Sequence, residues 1–395
     1  MDFNPLKEYL DYLTTEVGIP GADLMVYKNH EPIFRYFTGF SDKENQKPMN
    51  GDELYFIFSM TKMLTCTGML QLLEKGKYLI NDPLSKYLPE FGKMRVTRTQ
   101  LDTAKAAEIE SGKSAGEKID NSVDGYAQRP ILIRDLFTMC AGLDYDLQAK
   151  GIKKSLAEGE TSTRELVKAI SETVLGFEPG TRYRYSLCHD VLGGLIEVLS
   201  GQTFGEYMKE NIFDPIGMKN TFFGKSKDPE KLAKMAALYR FDENGVAQKE
   251  PLECAYILSE EYESGGAGLT SCTEDYALFL DALANGGVAK NGNRILSPSS
   301  IKLMGTNHLE GVPQEDFYMM RKGYGYGLGV RVHTLPQNSG SLSPVGEFGW
   351  DGAAAAFSMV DPVNNISLTY FQHVLGSDFR MHEEMRNILY GCLED

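Results

Sequence analysis

Apolar residues recur at helical spacing at Leu6, Tyr9, Leu10, Leu13 and Val17, and Gly18 and Pro20 then stop the pattern. This predicts an amphipathic helix at the start of the chain. The next segment, GADLMVYKNHEPIFRYFTGF, reads as two strands around a short turn at 28–32, hence an early hairpin. From Ser59 the run SMTKMLTCTGMLQLLEKGK predicts a largely apolar helix ending near Lys75-Gly76-Lys77. NDPLSKYLPEFG is punctuated and surface-like. Residues 95–129 are polar and poor in large aliphatics, which predicts an exposed excursion. Helical patterns resume in ILIRDLFTMCAGL, in TSTRELVKAISETVLG and in SLCHDVLGGLIEVLSGQTFGEYMKENIF. A second polar region, 225–248, precedes a glycine-rich stretch and a helix starting at Thr273 with Asp275 in its first turn.

The final quarter changes period. YGYGLGVRVH, GAAAAFSMVDP and NISLTYFQH each read as strands, and HEEMRNILYGCLE closes the chain as a helix. Strands at both ends with helices between them predict an α+β sandwich: one antiparallel sheet built from both termini, flanked by helices, with an inserted, mostly helical subdomain. The expected division is 1–80 with 255–395 for the sheet domain and 81–254 for the insertion.

Composition changes this picture little. Forty basic and fifty-five acidic residues give a formal charge of -15. No cationic block marks a nucleic-acid footprint, so no nucleic-acid partner is expected. No apolar run is long enough to span a bilayer, and the acidic start MDFNPLKEYLDYL does not resemble a secretory leader. We therefore expect a cytoplasmic protein, although a processed exported one would look the same. The six cysteines (Cys66, Cys140, Cys188, Cys254, Cys272, Cys392) are scattered, without metal-site spacing, and read as buried free thiols. Met139 and Cys140 read as packing residues.

Three segments carry candidate chemistry. Ser59 and Lys62 stand one helical turn apart, so the amine can approach the hydroxyl, and an apolar setting favours its neutral, proton-accepting form. Ser59 near a helix start also places a developing oxyanion close to free backbone N–H groups. A helix cap with a snorkelling lysine has the same spacing. In PGTRYRYSLCHDVLG, Tyr185 sits at a loop-to-helix junction. Its phenol either exchanges protons beside Lys62 or packs as an ordinary aromatic. In GWDGAAAAFSMVDP, Trp350, Asp351 and Gly352 precede a run of small residues that lets a substrate, or simply the Ser59 helix, lie close, with the Ala353 N–H available to a carbonyl oxygen.

In this order the three segments resemble the serine β-lactamase-like superfamily of class C β-lactamases, D-alanyl-D-alanine carboxypeptidases and family VIII esterases. SxxK matches Ser59-Met60-Thr61-Lys62, the tyrosine motif matches Tyr185-Ser186-Leu187, and the third motif matches Trp350-Asp351-Gly352. ILIRDLFTMCAGL, DPIGMKNTFF and SGGAGLTSCTEDYALF extend the likeness over most of the chain. The resemblance implies Ser59 as nucleophile, Lys62 and Tyr185 as the coupled proton-transfer pair, and an oxyanion hole from the N–H groups of Ser59 and Ala353. It implies neither metal nor organic cofactor. Leu187 stands where an amide-binding asparagine is usual, and Trp350 and Asp351 stand where a carboxylate-greeting pair is usual. A pocket-facing Asp351 would repel a carboxylate. The expected activity is a serine esterase on small neutral acyl esters. The alternatives are a D-Ala-D-Ala-type peptidase, a weak β-lactamase, or a non-catalytic penicillin-binding-like protein. The expected partner is a small-molecule ester or peptide, with Leu187, Trp350, Asp351 and Gly352 lining its site.

Overall fold

Alternation in GADLMVYK decides how the first strand is buried on both faces. The computed structural model describes residues 1–97, 125–313, 316–317 and 322–393, and in it this segment is the strand Gly21–Lys28. Ala22, Leu24 and Val26 join Leu6, Leu10 and Leu13 in the core on one side. Met25 and Tyr27 pack with Ala277 on the other, because successive strand side chains point to opposite faces. The chain reverses at Asn29 and His30, whose φ values of 51° and 67° suit a two-residue hairpin turn. It then returns antiparallel as Glu31–Asp42.

The main sheet has eight strands in the order Tyr324–Tyr326, Arg331–His333, Phe348–Gly349, Phe357–Asp361, Ile366–Phe371, Gly21–Lys28, Glu31–Asp42, Lys47–Pro48. Neighbours pair antiparallel throughout. Its centre joins the two ends of the chain: Leu24 lies opposite Tyr370 and Val26 opposite Leu368. Helices Asn4–Thr15 and Arg380–Cys392 cover one face, and Thr273–Ala284 packs on the other. The expected α+β sandwich is therefore the fold.

Behind Thr273–Ala284 lies the largest core, where helix Thr61–Glu74 meets Cys188–Ser200, itself packed by Ile133–Phe137 and Thr163–Ile170. Every residue from Thr61 to Leu72 is buried. The polar members are hydrogen-bonded, as burial demands: the Thr65 hydroxyl donates to Gly265 O at 2.7 Å and that of Thr67 to Met63 O at 2.9 Å.

Several elements differ from the pattern reading. YGYGLGVRVH is two strands rather than one, reversing at Gly327–Gly329, where Gly327 N–H donates to Val330 O at 2.7 Å. The alanine run is a turn; only Phe357–Asp361 is extended, since alanine brings none of the branched bulk that favours a strand. The helix in ILIRDLFTMCAGL covers only Ile133–Phe137 and is followed by Met139 at φ 58°. Leu84, Leu88 and Phe91 in the punctuated stretch are buried, so that stretch is anchored rather than superficial. The polar 225–248 region contains helix Pro229–Lys234 and the paired strands Tyr239–Phe241 and Ala247–Lys249. Arg95–Val96 pairs with Gly125–Tyr126 at the base of the polar excursion, of which 98–124 lie outside the described residues. All six cysteines are free and buried. Among the described residues no helix is long and apolar enough to cross a membrane.

Candidate active site

Ser59 is presented by a distortion in the backbone. Strand Tyr55–Phe56 enters a 3₁₀ turn, Phe58–Met60, that runs directly into helix Thr61–Glu74. Phe58 has φ 46°, a strained value for an aromatic residue that costs about 1–3 kcal/mol and is kept only where packing overrides it. That packing comes from Phe56, Tyr256 and His373, whose rings surround the Phe58 ring. The turn leaves Ser59 partly exposed at the head of a buried helix.

Lys62 is 0% exposed. Its Nζ donates to Gly266 O at 2.8 Å and to Ser59 Oγ at 3.2 Å, and lies 3.3 Å from the Tyr145 hydroxyl. The ammonium also sits over the Tyr185 ring, 4.4 Å from its centroid, and 5.3 Å from that of Tyr145. Ring faces carry partial negative charge and stabilise a desolvated cation. The Gly266 carbonyl is aimed by Asp190, whose Oδ1 accepts from Tyr262 Oη at 2.7 Å, Ser264 Oγ at 2.6 Å and Gly266 N at 3.4 Å. His189, beside this group, is pushed down to about 3 by burial and by the Lys62 charge.

Tyr185 and Tyr145 stack with centroids 5.5 Å apart, and Trp350 stacks on Tyr185 at 5.8 Å. The Trp350 indole Nε1–H donates to Tyr185 Oη at 3.2 Å. Tyr145 is the residue that sequence reasoning missed. It follows the AGL turn with nothing in its spacing to connect it to Lys62, 83 positions away. Burial, followed by the Asp190 carboxylate, holds its phenol well above the usual range, so Tyr145 keeps its proton.

The third segment needs a correction. Asp351 does not turn a bare charge toward a substrate: its Oδ1 accepts from buried Arg331 Nη1 at 3.0 Å. Repulsion of a substrate carboxylate by Asp351 is thereby offset. Gly352 sits where an added Cβ would be 2.7 Å from Ile57 O, which docks the turn against the segment leading to Ser59. Ala353 follows in that turn and packs with the Phe58 cluster. Leu187 is 3% exposed in the large core, and its backbone N–H donates to Asp144 O at 3.0 Å. Among the described residues no group of three or more His, Cys, Asp or Glu side chains could hold a metal ion.

A sheet joined from both termini, with a Ser-x-x-Lys pair opening the helix behind it, defines a hydrolase of the serine β-lactamase-like class. The chain belongs to the beta-lactamase family, whose model matches residues 6–391. Protein Rv1367c of Mycobacterium tuberculosis (strain ATCC 25618 / H37Rv) is 30% identical over 366 residues, covering 90% of this chain and 86% of the relative. Esterase EstB of Burkholderia gladioli is 24% identical over 388 residues, covering 92% and 88%. Among solved structures, EstCE1, a hydrolase with promiscuous acyltransferase activity, shares the fold with a TM-score of 0.77 at 22% identity over 98% of each chain.

Proposed function

We propose that this protein is an esterase that cleaves small neutral acyl esters through an acyl-enzyme on Ser59. The 3.2 Å contact between Lys62 Nζ and Ser59 Oγ carries this reading, because it joins a partly exposed hydroxyl to a buried amine within proton-transfer range. Ser59 Oγ attacks the acyl carbon while its proton passes to the Lys62–Tyr185 pair, which titrates as a unit. The N–H groups of Ser59 and Ala353 receive the charge that develops on the carbonyl oxygen. Collapse breaks the bond to the alcohol, which leaves with the proton. Water then attacks the acyl-enzyme and gives its proton to the same pair, which passes it to Ser59 Oγ as the bond to the acyl carbon breaks and the acid leaves.

The indole N–H on Tyr185 Oη favours negative charge on that oxygen during transfer, whereas protonated Tyr145 orients the amine. Preference for a neutral ester is supported by the half-buried ring of Tyr185, backed by buried Trp350, and by buried Leu187, which offers no amide donor at its position. The name of esterase EstB agrees with an ester substrate.

The test is turnover of short p-nitrophenyl esters, nitrocefin and a D-Ala-D-Ala peptide by the wild type and by Ser59→Ala. Ester hydrolysis lost in the variant is the expected result. Fast nitrocefin or peptide turnover with poor ester turnover would reassign the substrate, and turnover retained by Ser59→Ala would remove the nucleophile.

A further inference from the structure

Beneath the Trp350-Asp351-Gly352 segment lies a cluster of buried charges that the reaction above does not use. Arg331 is 0% exposed and reaches both arms of the loop connecting two sheet strands. Its Nη1 donates to Asp351 Oδ1 at 3.0 Å on the outgoing arm, and its Nη2 donates to Ser358 O at 2.9 Å on the returning arm. Nη2 also meets Glu347 Oε1 at 3.1 Å, and Glu347 Oε2 lies 3.4 Å from Arg386 Nε. The two arms touch closely: an added Cβ at Gly349 would be 2.1 Å from Ser358 O.

Between these arms the turn is closed by Gly352 N–H on Ala356 O at 2.8 Å and Ala355 N–H on Gly352 O at 2.9 Å. Ala355 has φ 58°, a conformation that an alanine adopts only when its surroundings impose it. Buried His382 supplies a restraint: its Nε2 lies 3.0 Å from Ala355 O. A carbonyl oxygen only accepts, so this contact puts a proton on Nε2. The imidazole is fixed by stacking on Phe357, with centroids 4.7 Å apart, and its Nδ1 faces Asp351 Oδ1 at 3.7 Å. Burying ion pairs under a loop is costly compared with apolar packing, and the outlay here is directed at the carbonyls and carboxylate that shape one turn.

We propose that Arg331, Asp351 and His382 form a positioning clamp that sets the direction of the Ala353 N–H toward the oxyanion and, through Trp350, of the indole N–H toward Tyr185. This rests on the Ser59 acyl-enzyme reading. None of the three touches the reacting atoms, and their effect is exerted through the turn.

The experiment compares His382→Leu with His382→Gln, whose amide can restore an N–H to the Ala355 carbonyl. Active sites are counted by fluorophosphonate titration, and each variant is assayed on p-nitrophenyl butyrate and for inhibition by trifluoroacetophenone, which adds to a serine as a tetrahedral oxyanion. For His382→Leu we expect kcat per active site to fall about 10- to 100-fold. KM should stay within about twofold, and ketone affinity should weaken by the same factor as kcat. His382→Gln should recover most of both losses. Ketone affinity per active site equal to the wild type in His382→Leu would overturn the clamp, as would equal losses in the Leu and Gln variants. Should His382→Leu not fold, near-isosteric Asp351→Asn replaces it, with a smaller loss in the same kcat-to-ketone proportion expected and unchanged ketone affinity again contradicting the clamp. Wild-type protein that neither hydrolyses the ester nor takes the fluorophosphonate on Ser59 would fail one step earlier, at the acyl-enzyme reading, and take the clamp with it.

Discussion

Lys62 and Arg331 are both 0% exposed, yet the molecule accommodates their charges in opposite ways. Arg331 is held by two carboxylates, those of Asp351 and Glu347, with Arg386 completing the cluster. Lys62 is met by a serine hydroxyl, a phenol, a backbone carbonyl and the faces of two aromatic rings. Carboxylates lock a cation in its charged form, and guanidinium keeps its proton under all ordinary conditions. Neutral oxygens and ring faces satisfy an ammonium while leaving its proton exchangeable. The first arrangement suits a scaffold, the second suits proton transfer.

The sharpest way to break this comparison is to replace each cation by methionine. Lys62→Met should lower kcat/KM on a p-nitrophenyl ester by about 10³-fold, within the range for loss of a general acid–base group. Its urea midpoint should fall less than that of Arg331→Met, because the group that loses its donor is the neutral Gly266 carbonyl. Arg331→Met should instead cost about 3–5 kcal/mol of stability in the same urea titration, because it withdraws a guanidinium from two buried carboxylates at once and leaves Glu347 only its contact with Arg386. A destabilised Lys62→Met beside a stable Arg331→Met would reverse the assignment of roles.

The two tyrosines sharpen the contrast further. Tyr185→Phe removes the oxygen that receives the Trp350 N–H and should reduce kcat by about 10²-fold. Tyr145→Phe removes only an orienting hydroxyl from a phenol that keeps its proton, so a loss of about tenfold is expected. Steady-state kinetics on one ester decide the order, and a larger loss in Tyr145→Phe would exchange their roles.

The smallest effect concerns His189, lowered from its ordinary 6.5 to about 3 by burial first and Lys62 second. A histidine whose folded value lies below its unfolded one binds its proton more tightly when unfolded. Its contribution to stability is therefore present above about 6.5 and is lost as pH falls toward 3. His189→Gln should flatten the decline in urea midpoint over that window. In Lys62→Met the His189 imidazole should titrate higher by NMR, since the repelling charge is gone.

What could be read in advance was what depends on near neighbours along the chain. The helix from Asn4, the Asn29-His30 reversal and the helix carrying Ser59 and Lys62 all follow from local periodicity and turn chemistry. The i, i+3 spacing of Ser59 and Lys62 brought their contact within reach because a helical turn places such residues on one side. Tyr145 was hidden, since its place beside Lys62 depends on how Ile133–Phe137 and the loop after it pack against Cys188–Ser200. The carbonyl of Ala355 in the alanine turn meets His382, 27 positions away, and the Asp351 carboxylate is paired with Arg331, 20 positions away. Such tertiary partners leave no trace in the local pattern.

The most direct measurement is intact-protein and peptide mass spectrometry after brief mixing with a p-nitrophenyl ester and acid quench. A single acyl group on the peptide containing Ser59, formed and lost at rates that account for turnover and absent in Ser59→Ala, is the predicted result. Sustained ester turnover with the acyl group on another residue would contradict the account.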